Sequence, residues 1–257
     1  MKKILLLLMI VLMIGGCGSE EKGTSPRIGT LTQLNSAPEE GTSFFDNFNT
    51  LQMALASKNI DTIKIFSGVA KYMTANNSDL EIKESQTVQL VDDFCCALRE
   101  EDFQLKNSFD AAINEMKIDG TLDALIKEYV TEVKDNPPAV VMPNFDGAET
   151  IRVGVTGDLP PLDMVLADGT PAGFNTAVLA EISKRINKNI ELVQVESGAR
   201  AAALLSKQVD VIFWVIVPAD DSGRPKDIDT PEGVFVTMPY YQDVVVDVNL
   251  SNFAAGF

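Results

Sequence analysis

The sequence predicts an α/β fold with a parallel sheet covered by helices. Strand and helix patterns alternate through residues 150–215, which is how parallel sheets are built. The strand runs there are almost continuously apolar, as suits strands buried on both faces. The stretch 44–130 mixes the same two classes of pattern.

Taken in order, Lys2 and Lys3, an apolar run from Ile4 to Ile14, and Gly15-Gly16-Cys17 read as an export signal ending in a lipobox. The run is too short to span a bilayer comfortably. Residues 1–16 are therefore expected to be a lipoprotein signal peptide. Cys17 is then the lipid-modified start of an extracytoplasmic chain anchored to the cell membrane. Residues 17–26 are polar and glycine-containing, a tether. In the segment 27–133, Phe44, Phe45, Phe48, Leu51, Gln52 and Leu55 predict a helix and Ile60–Phe66 a strand. Gln86–Val91 and Phe94–Leu98 read as further strands. Phe103, Leu105, Phe109, Ala112, Ile113 and Met116 share a helix stripe, and Asp119-Gly120-Thr121 stops that helix and caps another ending near Val130. Asn136-Pro137-Pro138 and Pro143 to Gly147 punctuate a linker over 134–149. In the segment 150–257, strands are predicted at Ile151–Thr156, Ile190–Val195 and Val209–Val215, with helices at Asn175–Ile186 and Ala199–Ser206.

Composition excludes several functions. Without Lys2 and Lys3, 19 basic residues face 37 acidic ones, so the mature chain carries 19 − 37 = −18. That charge argues against nucleic acid and against a polybasic grip on anionic lipid. There is no histidine, which removes Ser-His and Cys-His nucleophile pairs and the commonest zinc ligand. No catalytic residue, metal site or cofactor is expected. The neighbours Cys95 and Cys96 cannot clip distant parts of a fold together, and they read as buried strand residues.

In open α/β sheets, ligands bind beyond the carboxyl ends of the strands. There lie Thr156-Gly157-Asp158, Glu196-Ser197 and Phe213-Trp214. Thr156, Asp158, Ser197 and Trp214 are thus cleft candidates, the single tryptophan as a stacking wall. Thr156, Asp158 and Ser197 read equally as turn or cap residues, and Trp214 equally as core.

Several motifs carry a family resemblance. Ile151-Arg-Val-Gly-Val-Thr-Gly-Asp-Leu-Pro-Pro-Leu, Gly173-Phe174-Asn175, Ala203 to Asp210-Val-Ile and Pro239-Tyr240-Tyr241 resemble the amino-terminal lobe of the family 3 extracellular solute-binding proteins. Ala54 to Asp61, Cys96 to Asp102 and Asp119 to Asp123 are similar to that family's second lobe and carboxyl-terminal end. The resemblance implies a two-lobed type II periplasmic-binding-protein-like fold in inverted order. It reads as a circular permutant, or as halves exchanged between two chains. Hinge strands are expected near Ser25–Leu31 and Val244–Leu250.

The resemblance further implies a small-molecule ligand and the membrane permease of an ABC importer as partners. It adds Asn175, Asn35 and Ser67 to the candidate contacts. Where amino-acid-binding relatives place a carboxylate-gripping Arg and an ammonium-holding acid, this chain has Ser222 and Phe66. Arg200 or Arg224 is expected to substitute, although an Arg among alanines also suits a solvated helix face. The expected ligand is therefore a small polar, amino-acid-like solute other than a canonical α-amino acid. A cyclohexadienyl-dehydratase-like enzyme using Asp158 and Glu196, and a sensor without transport, are the alternatives.

Overall fold

A computed structural model of the chain describes residues 26–34, 41–83, 90–132, 137–219 and 230–251. The first segment supplies β1 (Ile28–Leu31), β2 (Thr42–Phe45), α1 (Phe48–Ala56), β3 (Thr62–Phe66), α2 (Ser67–Asn76), β4 (Leu80–Lys83) and β5 (Val91–Arg99). After β5 come α3 (Phe103–Ile118) and α4 (Thr121–Ile126), which runs into a π-helical turn, Lys127–Thr131. The second segment supplies β6 (Thr150–Val155), the short strands β7 (Asp158–Leu159), β8 (Asp163–Val165) and β9 (Pro171–Ala172), and α5 (Phe174–Ile186). It continues with β10 (Asn189–Gln194), α6 (Arg200–Leu205), β11 (Val211–Pro218), β12 (Val234–Val236) and β13 (Tyr241–Leu250).

Among the described residues, the main sheet has ten strands, in the order β10-β6-β11-β5-β13-β3-β1-β2, with β12 on β5 and β4 on β13. Two parallel cores lie within it. β6 pairs parallel with β10 and β11, and β1 pairs parallel with β2 and β3. Antiparallel β5 and β13 join them. β13 runs through both halves, pairing over Tyr241–Val244 with β5 and over Val245–Asn249 with β3. The result is the two-lobed α/β architecture that the sequence predicts. A larger lobe is built on β5, β6, β10 and β11, a smaller one on β1 to β4, and β13 is common to both.

The two segments share one sheet and one core. β5 comes from the first segment but lies between β11 and β13 of the second. A single apolar cluster also holds Leu51, Ile63 and Phe66 of the small lobe together with Phe94, Val153 and Trp214 of the large one. A second cluster, with Ala203, Leu204, Val209 and Ile212, covers the other face of the large-lobe sheet under α6. Cys95 belongs to this cluster and Cys96 to the main one, as alternation along β5 requires. Burial holds both thiols far toward the neutral form, Cys95 up to about 12, so both are inert core residues.

Three expectations are corrected. The helix begins at Phe48, not Phe44, because the Asn47 side chain accepts the Thr50 amide at 2.9 Å and ends the helix there. Phe44 and Phe45 instead pair with Thr30 and Leu31 in β2. The hinge expected near Ser25–Leu31 is not seen at Ile28–Leu31, since among the described residues β1 pairs only with β2 and β3 inside the small lobe; β5 is the strand that accompanies β13. The third strand of the second segment runs on to Pro218, so Trp214 lies mid-strand rather than at a carboxyl end. Residues 86–89 of an expected strand lie outside the described residues, and Val91 opens β5.

Candidate functional site

Thr156, Asp158, Asn175, Ser197, Arg200 and Trp214 converge on the large lobe where it meets the small one. Their side chains are engaged with the protein itself. Thr156, just past β6, donates its backbone amide and its hydroxyl to Asp163 Oδ2, at 3.0 and 2.9 Å. Trp214 Nε1 donates to the same oxygen at 3.3 Å. Asp163 is 1% exposed, and burial raises its carboxyl above the usual range against the opposing hydrogen bonds from Gly157 and Thr156. A buried carboxyl is tolerated only where donors surround it, and this one organises the turn that carries Thr156.

Trp214 owes its position to a β-bulge. The pairing of β11 with β5 shifts between Phe213 and Val215, so Phe213 and Trp214 both face the main core while Ile212 and Val215 face the other. The indole is 1% exposed. It meets Phe94 at 5.6 Å and the edge of Phe66 at 6.2 Å between ring centroids. Burying such a ring contributes ~1.5–3 kcal/mol and each aromatic pair about 0.5–1.5 kcal/mol, more than the one hydrogen bond to Asp163. Packing therefore sets the place of Trp214, and Phe66 closes on it from the small lobe.

The expectation that Arg200 lies ready for an anion is corrected. Arg200 is fully buried. Its Nη1 donates to the Trp214 carbonyl at 2.6 Å, and its guanidinium lies 5.1 Å from the centroid of the Trp214 ring. One face of the indole is thus covered by a cation of the protein's own.

Asn175, in the first turn of α5, is 1% exposed, and its Oδ1 accepts from Tyr240 Oη at 3.0 Å. Its Nδ2 has no hydrogen-bond partner among the described residues. Gly173 makes this turn possible. Its φ is +95°, and a Cβ there would lie 2.8 Å from the Pro161 carbonyl oxygen.

Asp158 and Ser197 reach across to the small lobe. Asp158 Oδ2 accepts the Phe48 amide at 3.3 Å, and Ser197 Oγ donates to the Asp46 carbonyl at 3.1 Å. Ser67 stands apart at the start of α2. It donates to Asp243 Oδ1 at 2.5 Å, and Asp243 Oδ2 accepts from Gly68 N and Tyr241 Oη, where β13 passes between lobes. Asn35, Cys17, Ser222 and Arg224 lie outside the described residues. Sequence reasoning misses Asp163, because Leu-Pro-Pro-Leu-Asp reads as an exposed turn.

A separate cavity of about 770 Å³ lies at the opposite edge of the large-lobe sheet, lined by Arg99, Arg152 and Lys188 among others. Each of these cations is matched there by an acid, Arg99 and Arg152 by Asp210 and Lys188 by Glu149. Among the described residues there is no cluster of metal-ligating side chains, and no helix is long and apolar enough to cross a membrane.

Residues 151–222 match the model of the bacterial extracellular solute-binding proteins, family 3. The resemblance read from the sequence is thus found on the segment that carries Thr156, Asp158, Asn175, Ser197, Arg200 and Trp214. Among solved structures, the ligand-binding component of an ABC-type import system from Staphylococcus aureus is 10% identical, with TM-score 0.42; the match covers 86% of this chain and 65% of that one. The chain therefore spans just under two thirds of that protein. The reduced OxyR regulatory domain from Pseudomonas aeruginosa is 11% identical, with TM-score 0.40, over 88% of this chain and 89% of that one. The periplasmic aliphatic sulphonate binding protein from Escherichia coli is 11% identical, with TM-score 0.40, over 88% and 64%. No curated protein matches the sequence.

Proposed function

We propose that this chain is the lipid-anchored, extracytoplasmic solute-binding component of an ABC-type importer. The family match over residues 151–222 carries the reading, and the gathering of the candidate residues beyond the carboxyl ends of β6 and β10, at the seam of two lobes, supports it. Capture is by hinge closure about β5 and β13, the two strands that lie at the junction of the lobes. Thr156, Asn175 and Ser197 hydrogen-bond the solute once the lobes part, the unused Nδ2 of Asn175 among the donors. Trp214 and Arg200 form the wall behind them, Ser67 is the small-lobe contact, and Asn35, outside the described residues, is a further contact on sequence grounds. Relative to family 3 proteins, the chain is a circular permutant whose halves close within one molecule.

The ligand is a small polar solute other than a canonical α-amino acid, since Phe66 is committed to the aromatic core and Arg200 to Trp214. An unmatched charge of a buried pair costs ~3–5 kcal/mol. At about 1.4 kcal/mol per tenfold, that removes micromolar affinity for a zwitterion. Mass spectrometry of solute retained through gentle purification tests the reading, and calorimetry against the common amino acids is expected to find millimolar binding at best. Attachment is tested by Cys17→Ser, which should abolish fatty-acid labelling. A purified protein that retains no solute and binds none from a broad metabolite panel would overturn the function.

A further inference from the structure

We infer that the turn Asp46-Asn47-Phe48 is a latch, held by Asp158 and Ser197, that closes the small lobe over the buried Thr156–Asp163–Trp214 cluster and competes with solute for it. The inference rests on the two-lobed binding reading above.

The turn is built to stay in place on its own side. Thr32, just after β1, donates its amide to the Phe45 carbonyl at 2.9 Å and its hydroxyl to Asp46 Oδ1 at 3.0 Å. Asn47 caps α1, and Phe48 is buried at 3% exposure. From the large lobe, the Asp158 carboxylate accepts the first-turn amide of Phe48, and the Ser197 hydroxyl reaches the Asp46 carbonyl. One contact is an acceptor for the positive end of the nine-residue helix α1, the other a donor for the carbonyl just before it. The pair is therefore matched in sense, and it fixes the turn at two points.

Behind the turn the lobes touch through Phe66 and Trp214. Thr156 is 6% exposed, Ser197 3% and Trp214 1%. A solute that uses Ser197 must displace the Asp46 carbonyl, and one that approaches Asp158 must displace the Phe48 amide. Opening pays no backbone distortion inside either lobe, because both contacts are side chain to backbone between them. A two-state element of this kind shifts its population by the free energy of the contacts removed.

The test uses two direct reporters on the folded chain. Trp214 is the single tryptophan, so acrylamide quenching of its fluorescence reads how far Phe66 has withdrawn. Hydrogen exchange at the Phe48 amide reads the latch bond itself. Asp158→Ala and Ser197→Ala should each raise Trp214 quenching, and Asp158→Ala should speed Phe48 exchange about tenfold, the factor given by ~1.4 kcal/mol. Asp158→Asn keeps an acceptor oxygen and should restore slow exchange. Ser197→Ala removes one hydroxyl and keeps the fold testable if the Asp158 variant melts early. Unchanged quenching in Ser197→Ala together with unchanged exchange in Asp158→Ala would overturn the latch. That result would leave solute retention, and hence the binding function, standing.

Discussion

Asp163 shows how one residue sets the chemistry of its surroundings. Its carboxyl receives Thr156 and Trp214 in a site without water access, and burial raises its proton affinity above the ordinary carboxylate range. A raised folded-state value favours the native form while the group is protonated. The contribution is complete below the unfolded value and is lost as pH rises through the folded one. Because the indole of Trp214 donates to this carboxyl, its emission should titrate with a midpoint above the ordinary value of about 3.9, while the far-ultraviolet spectrum stays native. Asp163→Asn should remove that transition. An emission change that coincides with global acid unfolding, or that persists in Asp163→Asn, would show that another group is responsible.

Among the elements, α3 and α4 are fixed to α5 by charge as well as by packing. Arg185 in the last turn of α5 donates to Glu181 at 2.8 Å and to Asp119, between α3 and α4, at 2.7 Å. The Thr121 hydroxyl and amide, and then Arg185, lower the Asp119 carboxyl from 3.8 to about 2. A lowered value stabilises the native state above the unfolded pKa, and the effect is lost as pH falls from 3.8 toward 2. Asp119 is open to solvent, so screening keeps the effect small. Asp119→Ala should therefore lower the melting temperature by about a degree or two at pH 6 and by much less at pH 2. Equal losses at both pH values would assign the effect to the Asp119 cap on Thr121 rather than to ionisation.

At the scale of the whole molecule, the controlling fact is that β5 lies between β11 and β13. Residues 150–257 without it would leave a gap in the middle of the sheet, exposing two strand edges and apolar residues of both clusters. The fragment should aggregate or melt without cooperativity, whereas the full chain should melt in a single transition. Adding residues 90–132 in trans should restore a soluble complex, because they supply the missing strand with its helices. A sharp, reversible melt of the fragment alone would show that the segments fold independently.

The sequence by itself determined what depends on local pattern. Apolar runs specify β6, β10 and β11, helical stripes specify α3 and α5, and paired thiols in an apolar strand specify buried cysteines. The motifs between Ile151 and Asp210 likewise carry the family resemblance, since backbone turns at Gly157 and Gly173 are written in single residues. Tertiary structure alone decided where these parts meet. The bulge at Trp214 depends on the partner strand β5, some 118 residues earlier in the chain, and sets a residue read equally as cleft wall or core into the main apolar cluster. Arg200 reads as a solvated or anion-binding side chain until the Trp214 ring and carbonyl are placed beneath it. Asp163 gives no local sign of burial, and Asp46 to Phe48 gives none of a contact with Asp158 and Ser197. Periodicity reports which face of an element is apolar; which distant element covers that face is fixed only when the chain closes on itself.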